Sequence, residues 1–508
     1  MAPNPLQPDL PIAGPEWLPL AQDISVRMLQ ERLAGLSSPE VLAQLGQWLA
    51  ELVLHEGHPL EHWVDAIEQV DRLAGPHQLR LVPQQLETRR LYKLCESGHW
   101  LATQAYWQQL GASYLRCLLR CASSGDGDLP HTGLASLPVR LMRNLARQHK
   151  SLLLASKQVE QRIWRDLGQA YLLAEGLGLA DAMLRQEMLK PLMLAVAAPD
   201  ALPPIQLHVA ERLAACLAGH FSLGTRPGPG CCFCFEPGLQ RPPMRAQDST
   251  SPAPQQRFFG AGSAIQALQG LAGQLHQRGN LPPKVALGGE FPPADILAAI
   301  EHLERQWADI RPARRDEREA GSTWLTVLPG LMPALNWLAR QKADGGLAPH
   351  GPARTECWNA TDRSERGFGT TLPHRPPAWL SVGALMAVLP EAGTAVRMAI
   401  VRRITAARDD CWRIGAELLG QQAARVTLHP DLPRQDCEGI PAGQAAILLS
   451  PSPDRTDMAE LLLPAGILEN AASLQMQLES GSYRLESPAT IGQDRDYRQV
   501  RYRLDHGG

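Results

Sequence analysis

The sequence predicts an α+β protein: an all-helical N-terminal half followed by a β-rich half built of small barrels. Three observations carry this. Before about residue 220, apolar residues recur at i, i+3, i+4 and i+7, the spacing of one buried helix face. After about residue 320 they alternate with period two, the spacing of half-buried strands. Between the halves, residues 224–257 run from GTRPGPG through CCFCFEPG to SPAPQQR, where proline and glycine interrupt regular structure.

The helical scaffold is assigned to 1–223. Leu60, Trp63, Val64, Ile67, Val70 and Leu73 trace one helix, and Gly75-Pro76 predicts its end. Val159, Ile163, Trp164, Leu167 and Tyr171 repeat the pattern. Helical hairpins of similar length suit a bundle or a repeat-like scaffold, although no repeat consensus is visible. Residues 224–305 read as a linker with one short strand in the CCFCF run, then helices within 259–280 and 293–309.

A first β unit is assigned to 306–435. Val396, Met398 and Ile400 alternate, as do Trp412, Ile414, Ala416 and Leu418. A second small β unit is assigned to 436–508, with strands at Ala445–Leu449, Leu461–Leu463, Leu474–Leu478, Tyr483–Leu485 and Tyr497–Leu504. Gly481-Ser482 reads as a hairpin turn there. Many short strands between turns suggest barrels.

Composition bounds the function. A chain of 508 residues predicts about three or four domains. The net charge of −3 argues against a nucleic-acid binder, which carries a basic excess. With 44% apolar and 20% charged residues the chain can bury a core. Only six of the 49 basic residues are lysines, leaving 43 arginines, a skew that high genomic GC content alone would produce. The N-terminus MAPNPLQPDLPIAG has no charged region followed by an apolar one, and no stretch approaches the roughly 18 apolar residues of a membrane span. The ten cysteines are scattered, unlike a disulfide framework. The expectation is a cytoplasmic protein without membrane insertion.

Motifs for catalysis are missing. Cys231-Cys232-Phe233-Cys234 has no second pair at zinc spacing and reads as buried strand cysteine. His55, His58 and His62 do not form H-E-x-x-H, and Pro59 points to a helix start between them. Gly288-Gly289-Glu290-Phe291 is one residue short of the turn of diguanylate cyclases and reads as a loop. No nucleophile elbow, Walker loop or dinucleotide fingerprint is present. The expectation is therefore a non-enzyme with no cofactor and no metal.

The sharpest constellation lies between 311 and 420. Arg311, Arg314, Arg315 and Arg318 make two R-x-x-x-R frames, 311/315 and 314/318. Asp362, Ser364 and Gly367 follow as D-x-S-x-x-G, and the segments V-R-R-I (401–404) and I-G-A-E-L-L (414–419) come after them. Arginine forks at a barrel lip can stack on a purine, donate to guanine O6 and N7, or clamp a phosphate. Asp362 and Ser364 are two apart on a strand and so face one way, one to accept from a guanine N–H edge and one to bond ligand oxygen. Gly367 would allow a positive φ and close approach of a bulky ligand. Arg363 and Arg366 add further charge to this loop, either as phosphate contacts or simply as surface residues.

Over roughly 306–425 the chain resembles the PilZ domain, the bacterial receptor module for cyclic di-GMP. The whole chain looks like large proteobacterial PilZ proteins with a helical N-terminal half. The resemblance implies a six-stranded barrel with an arginine-bearing arm, whose first strand is the run from Trp324. It implies cyclic di-GMP, as one molecule or an intercalated pair, held by Arg314 and Arg318, or by Arg311 and Arg315 in the alternative frame, with Asp362, Ser364 and Gly367 completing the pocket. The second β unit then reads as a degenerate barrel packed on the first. Residues QKADGGLAPHGPAR form a loop-like insertion between arm and motif. The function expected is a non-enzymatic receptor that signals by domain rearrangement to a protein partner on the helical half. The alternative is a helical adaptor whose barrel binds no nucleotide.

Overall fold

The computed structural model describes residues 26–505 apart from short segments at 53–59, 88–96, 124–131, 249–254, 311–316, 344–354, 374–375, 392–394, 408–410, 431–442, 450–457, 467–472, 479–480 and 494–495. A helical half is followed by two closed six-stranded antiparallel barrels, as the periodicities predict.

The helical half is built on helices such as Ser38–Leu52, Leu60–Leu79, Gly98–Ser123, Thr132–Leu154, Gln161–Gly176 and Ala182–Ala195. The face predicted from Trp63 to Val70 is buried. The predicted stop at Gly75-Pro76 does not hold: the helix runs on to Leu79 with Pro76 inside it. Proline removes one backbone donor and strains the turn before it, a cost that tertiary burial of Ala74 and Gln78 outweighs.

The segment 224–305 is not a linker around one strand. It supplies three strands, β2 (Phe233–Phe235), β3 (Met244–Arg245) and β4 (Arg257–Gly260), which join β1 (Ser222–Gly224) in a sheet ordered β1-β4-β2-β3. Phe233, Phe235 and Phe259 enter the same core as Trp164 and Leu192. Helices Ala264–Arg278 and Pro293–Trp307 lie where helical patterning resumes, and Leu268, Ile300 and Trp307 complete that core. The segment's proline-rich composition therefore marks its turns and hides its buried aromatics. Cys234 is buried on β2, and burial pushes the Cys232 thiol up to about 11, which makes it a poor nucleophile. Of the three histidines weighed above, His55 and His58 lie outside the described residues, and His62 is exposed.

The first barrel comprises β5 (Glu319–Pro329), β6 (Glu356–Ser364), β7 (Gly367–Leu372), β8 (Leu385–Pro390), β9 (Arg397–Ala406) and β10 (Trp412–Leu419). It closes in the order β10-β7-β6-β5-β8-β9. Its interior holds Leu325, Trp358, Phe368, Val388, Val401 and Ile414. The run from Trp324 lies in β5, its first strand.

The second barrel comprises β11 (Ala423–Pro430), β12 (Gln444–Leu449), β13 (Met458–Pro464), β14 (Ser473–Leu478), β15 (Gly481–Gln493) and β16 (Tyr497–Asp505), closed as β11-β12-β13-β16-β15-β14. The five predicted strands are all present, but the sixth, β11, lies before the boundary drawn at 435. Only Gly420 to Gln422 separate it from β10, so local pattern attached it to the wrong barrel. Its ladder partners are β12 and β14, a pairing that only long-range contact decides. Gly481 and Ser482 are not the hairpin turn; they pair with Leu478 and Gln477 in the ladder.

Helix Leu331–Ala343, between β5 and β6, is the largest departure from the predicted β half. It wedges between the barrels: Leu331, Leu335 and Leu338 share a core with Leu385, Met398 and Ile400 of the first barrel and Ile447, Leu462 and Tyr497 of the second. The Tyr497 hydroxyl donates to the Gly383 carbonyl at 3.1 Å, and the Ala423 amide to the Val396 carbonyl at 2.8 Å. The second barrel is thus packed on the first.

The helical half also meets the first barrel. Asp200 Oδ2 accepts from Arg403 Nε and from Thr405 Oγ1, each at 3.0 Å. The Ala406 amide donates to the Ser156 carbonyl at 2.9 Å, and the Lys157 ammonium lies 5.8 Å from the Trp412 ring centroid. Among the described residues no helix is long and apolar enough to cross a membrane.

Candidate functional site

Strands β6 and β7 bring the D-x-S-x-x-G residues to one end of the first barrel. Trp358 and Ala360 on β6 are buried in the barrel interior. From Thr361 to Glu365 exposure alternates, with Asp362 and Ser364 half-buried and their neighbours exposed. Asp362 and Ser364 therefore share one side of the strand, as period two requires. A register shift between Ala360 and Asp362 sets Asp362 opposite Gly369.

The arginine frame and the aspartate meet. Arg318 Nη1 donates to Asp362 Oδ1 at 2.7 Å, across 44 positions of sequence. Arg318 immediately precedes β5, whose Glu319 and Ala320 pair with Arg363 and Asp362. Arg311, Arg314 and Arg315 lie outside the described residues.

Two glycines act here, and neither does so by a positive φ. Gly367 lies outside the left-handed region, so the expectation of φ > 0 is corrected. A Cβ at Gly367 would lie 2.6 Å from the Ala416 carbonyl oxygen, so the close approach it permits is to the neighbouring strand β10. Gly369, two residues beyond the D-x-S-x-x-G motif, matters more for the carboxylate. A Cβ there would lie 2.4 Å from Asp362 Oδ2. The missing side chain makes the space that Asp362 occupies; the cross-strand register that reveals this is not readable from spacing.

A cleft of about 480 Å³ opens beside this pair. Its polar lining includes Glu317, Glu319, Arg363, Ser364, Arg397 and Gln421, and its apolar part Leu325, Phe368, Val388 and Leu418, with Glu365 beside them. Ser364 Oγ donates to the Gly367 carbonyl at 3.4 Å, a long bond that a ligand acceptor can replace. Arg397 at the start of β9 donates from Nε and Nη2 to the Gly420 carbonyl (3.2 and 3.1 Å) and from Nη2 to the Glu365 carbonyl (3.0 Å). Partial burial, and then the Arg363 charge, push the Arg397 pKa below its ordinary value. Nothing in the sequence marked Arg397, which sits 33 residues beyond Ser364 and reaches the cleft only through barrel closure.

Chemically the cleft offers carboxylates that accept, guanidinium groups that donate, and an aromatic and aliphatic lining. That combination suits a ligand with donor edges, flat rings and negative charge.

Comparison with known families gives one finding. Residues 25–228 match the family model described as "Cyclic-di-GMP receptor FimW, N-terminal domain". The match bears out the resemblance to a cyclic di-GMP receptor on the helical half and ends before either barrel. No curated protein matches the chain.

Proposed function

We propose that the chain is a non-enzymatic cyclic di-GMP receptor of PilZ type, which binds the dinucleotide at the mouth of the first barrel. The observation that carries this reading is the Arg318–Asp362 ion pair of 2.7 Å. It joins the two separated halves of the motif, and their chain neighbours Glu317, Glu319 and Arg363 line the cleft together with Ser364. The helical half's likeness to a domain of a cyclic di-GMP receptor supports the same ligand.

In this reading Arg311, Arg314 and Arg315 help Arg318 to hold the ligand. Arg318 is already oriented by Asp362, so less side-chain freedom is lost on binding. Ligand that prefers one arrangement shifts the position of the barrel on the helical half, whose surface engages a protein partner in the cytoplasm. Only the difference in the ligand's affinity for the two arrangements shifts them, so a reorientation gap of about 3 kcal/mol requires a preference of roughly 100-fold.

Calorimetric titration with cyclic di-GMP tests this. Arg314→Ala and Arg318→Ala are expected to weaken binding more than tenfold while thermal melting stays cooperative. Unchanged affinity in both, and in Arg311→Ala and Arg315→Ala, removes the arginine-arm mechanism. No binding by the folded wild-type protein at high micromolar ligand would leave the adaptor reading, in which the helical half acts alone.

A further inference from the structure

We propose that Arg363 and Arg397 are two further ligand-binding residues, forming a wall of the cleft that receives the phosphates of the cyclic dinucleotide. The inference rests on the reading of this cleft as the cyclic di-GMP site and assigns to it Arg397, which lies outside both motifs, together with Arg363, a variable position within D-x-S-x-x-G.

Both side chains line the same cleft, one from β6 and one from β9. Their states differ in a useful way. Arg397 is fixed: its bonds to the Gly420 and Glu365 carbonyls use Nε and Nη2 and leave Nη1 without a hydrogen bond among the described residues. A guanidinium pinned at one edge presents its other edge at little further entropic cost. Arg363 is uncommitted: its side chain makes no hydrogen bond or ion pair among the described residues, although Glu319 is its cross-strand partner.

Two cations facing one half-buried space repel each other. The repulsion from Arg363 acts on Arg397 more strongly than the attraction of Glu365. A ligand anion held by both removes that repulsion and gains charge-assisted hydrogen bonds. A neutral base edge would not. The carboxylates of Glu317, Glu319 and Glu365 line the cleft too and would repel a phosphate. They match the N1–H and N2–H donors of guanine instead. The charged lining therefore divides into acceptors for bases and donors for phosphates, and one ligand that carries both satisfies it.

The test is calorimetric titration of the full chain with cyclic di-GMP at about 50 and 300 mM salt, concentrations between which screening changes markedly. Arg363→Ala is expected to weaken binding at least tenfold at low salt and to flatten the dependence of affinity on salt. Arg397→Lys keeps the charge but loses the two-carbonyl anchor, and is expected to give a smaller loss with the salt dependence retained. Melting curves check that both variants fold. Wild-type binding with Arg363→Ala within twofold at both salts would overturn the inference and leave the site reading intact. No wild-type binding would overturn the site reading, and the inference with it.

Discussion

Arg403 on the first barrel reaches Asp200 on the helical half, Nε to Oδ2 at 3.0 Å, and Thr405 shares the same oxygen. Strand β9 thus touches the cleft at its first residue, Arg397, and the helical half near its last. Both loops that receive it are bent at non-glycine residues with positive φ, Ser156 (50°) and Ala198 (49°). Ser156 caps its helix in a Schellman pattern: the Lys157 amide donates to the Leu152 carbonyl and the Ser156 amide to the Leu153 carbonyl, both at 2.9 Å. That bend accompanies the Ser156 carbonyl's bond to the Ala406 amide.

The Asp200–Arg403 pair is partly exposed, so its net contribution is about 0.2–1 kcal/mol. Asp200→Ala is expected to leave the melting temperature within a few degrees of wild type. Hydrogen exchange at 404–406 should nevertheless quicken, because the joint opens more often. The swap of Asp200→Arg with Arg403→Asp should restore slow exchange; unchanged exchange in Asp200→Ala would show that the pair does not hold the joint.

Ser156→Gly is expected to stabilise the helical half. A left-handed residue other than glycine costs about 1–2 kcal/mol, against which glycine gives back part through its freer unfolded chain. A rise of about 0.5–1 kcal/mol in denaturant unfolding is the expected outcome. A fall would mean that the serine side chain contributes more than the backbone strain costs.

Gly369→Ala is expected to disable the ligand site. Its Cβ would lie 2.4 Å from Asp362 Oδ2, a steric clash, so the carboxylate must move and the Arg318 pair with it. Cyclic di-GMP affinity should fall at least tenfold, with a loss of stability of about 1–3 kcal/mol from the crowding. Unchanged affinity would show that Asp362 can bind ligand from another position.

Leu335→Ala probes the wedge between the barrels. Leu335 is buried in the core shared by both, so the substitution is expected to cost about 2–5 kcal/mol. Because one core serves two barrels, both should melt together, seen as a single displaced transition. Destabilisation of one barrel alone would show that they fold independently.

Acid is expected to destabilise the helical half. Burial is the main cause that pushes His208 down to about 4 and His149 to about 3, and it lowers His302 as well. His208 and His302 each hold a backbone carbonyl through Nε2, at 2.9 Å to Leu287 and 2.6 Å to Ala197. The unfolded chain, with histidine near 6.5, binds protons first as pH falls, so stability is full above about 6.5 and is lost from there toward about 4 for His208 and about 3 for His149. The urea midpoint should be lower at pH 5 than at pH 7. Replacing His208 by Gln should reduce that difference.

The two periodicities by themselves determined the fold class, because 3.6-residue and two-residue spacings reflect the geometry of single elements. They also located five of the second barrel's strands and the helices after 259. The helix Leu331–Ala343 was legible in principle, since Leu331, Ala334, Leu335 and Leu338 keep helical spacing, but it stands between strands and was absorbed into their pattern. The motif residues were legible as residue types in order. Their meeting was not: Arg318 reaches Asp362 because β5 pairs with β6, Arg397 reaches the cleft because the barrel closes, and β11 belongs to the second barrel because of partners far along the chain. Ladder pairing and closure depend on contacts between distant segments, which local sequence does not encode residue by residue. The sequence thus supplied the chemical groups, and the tertiary structure decided which of them face one another.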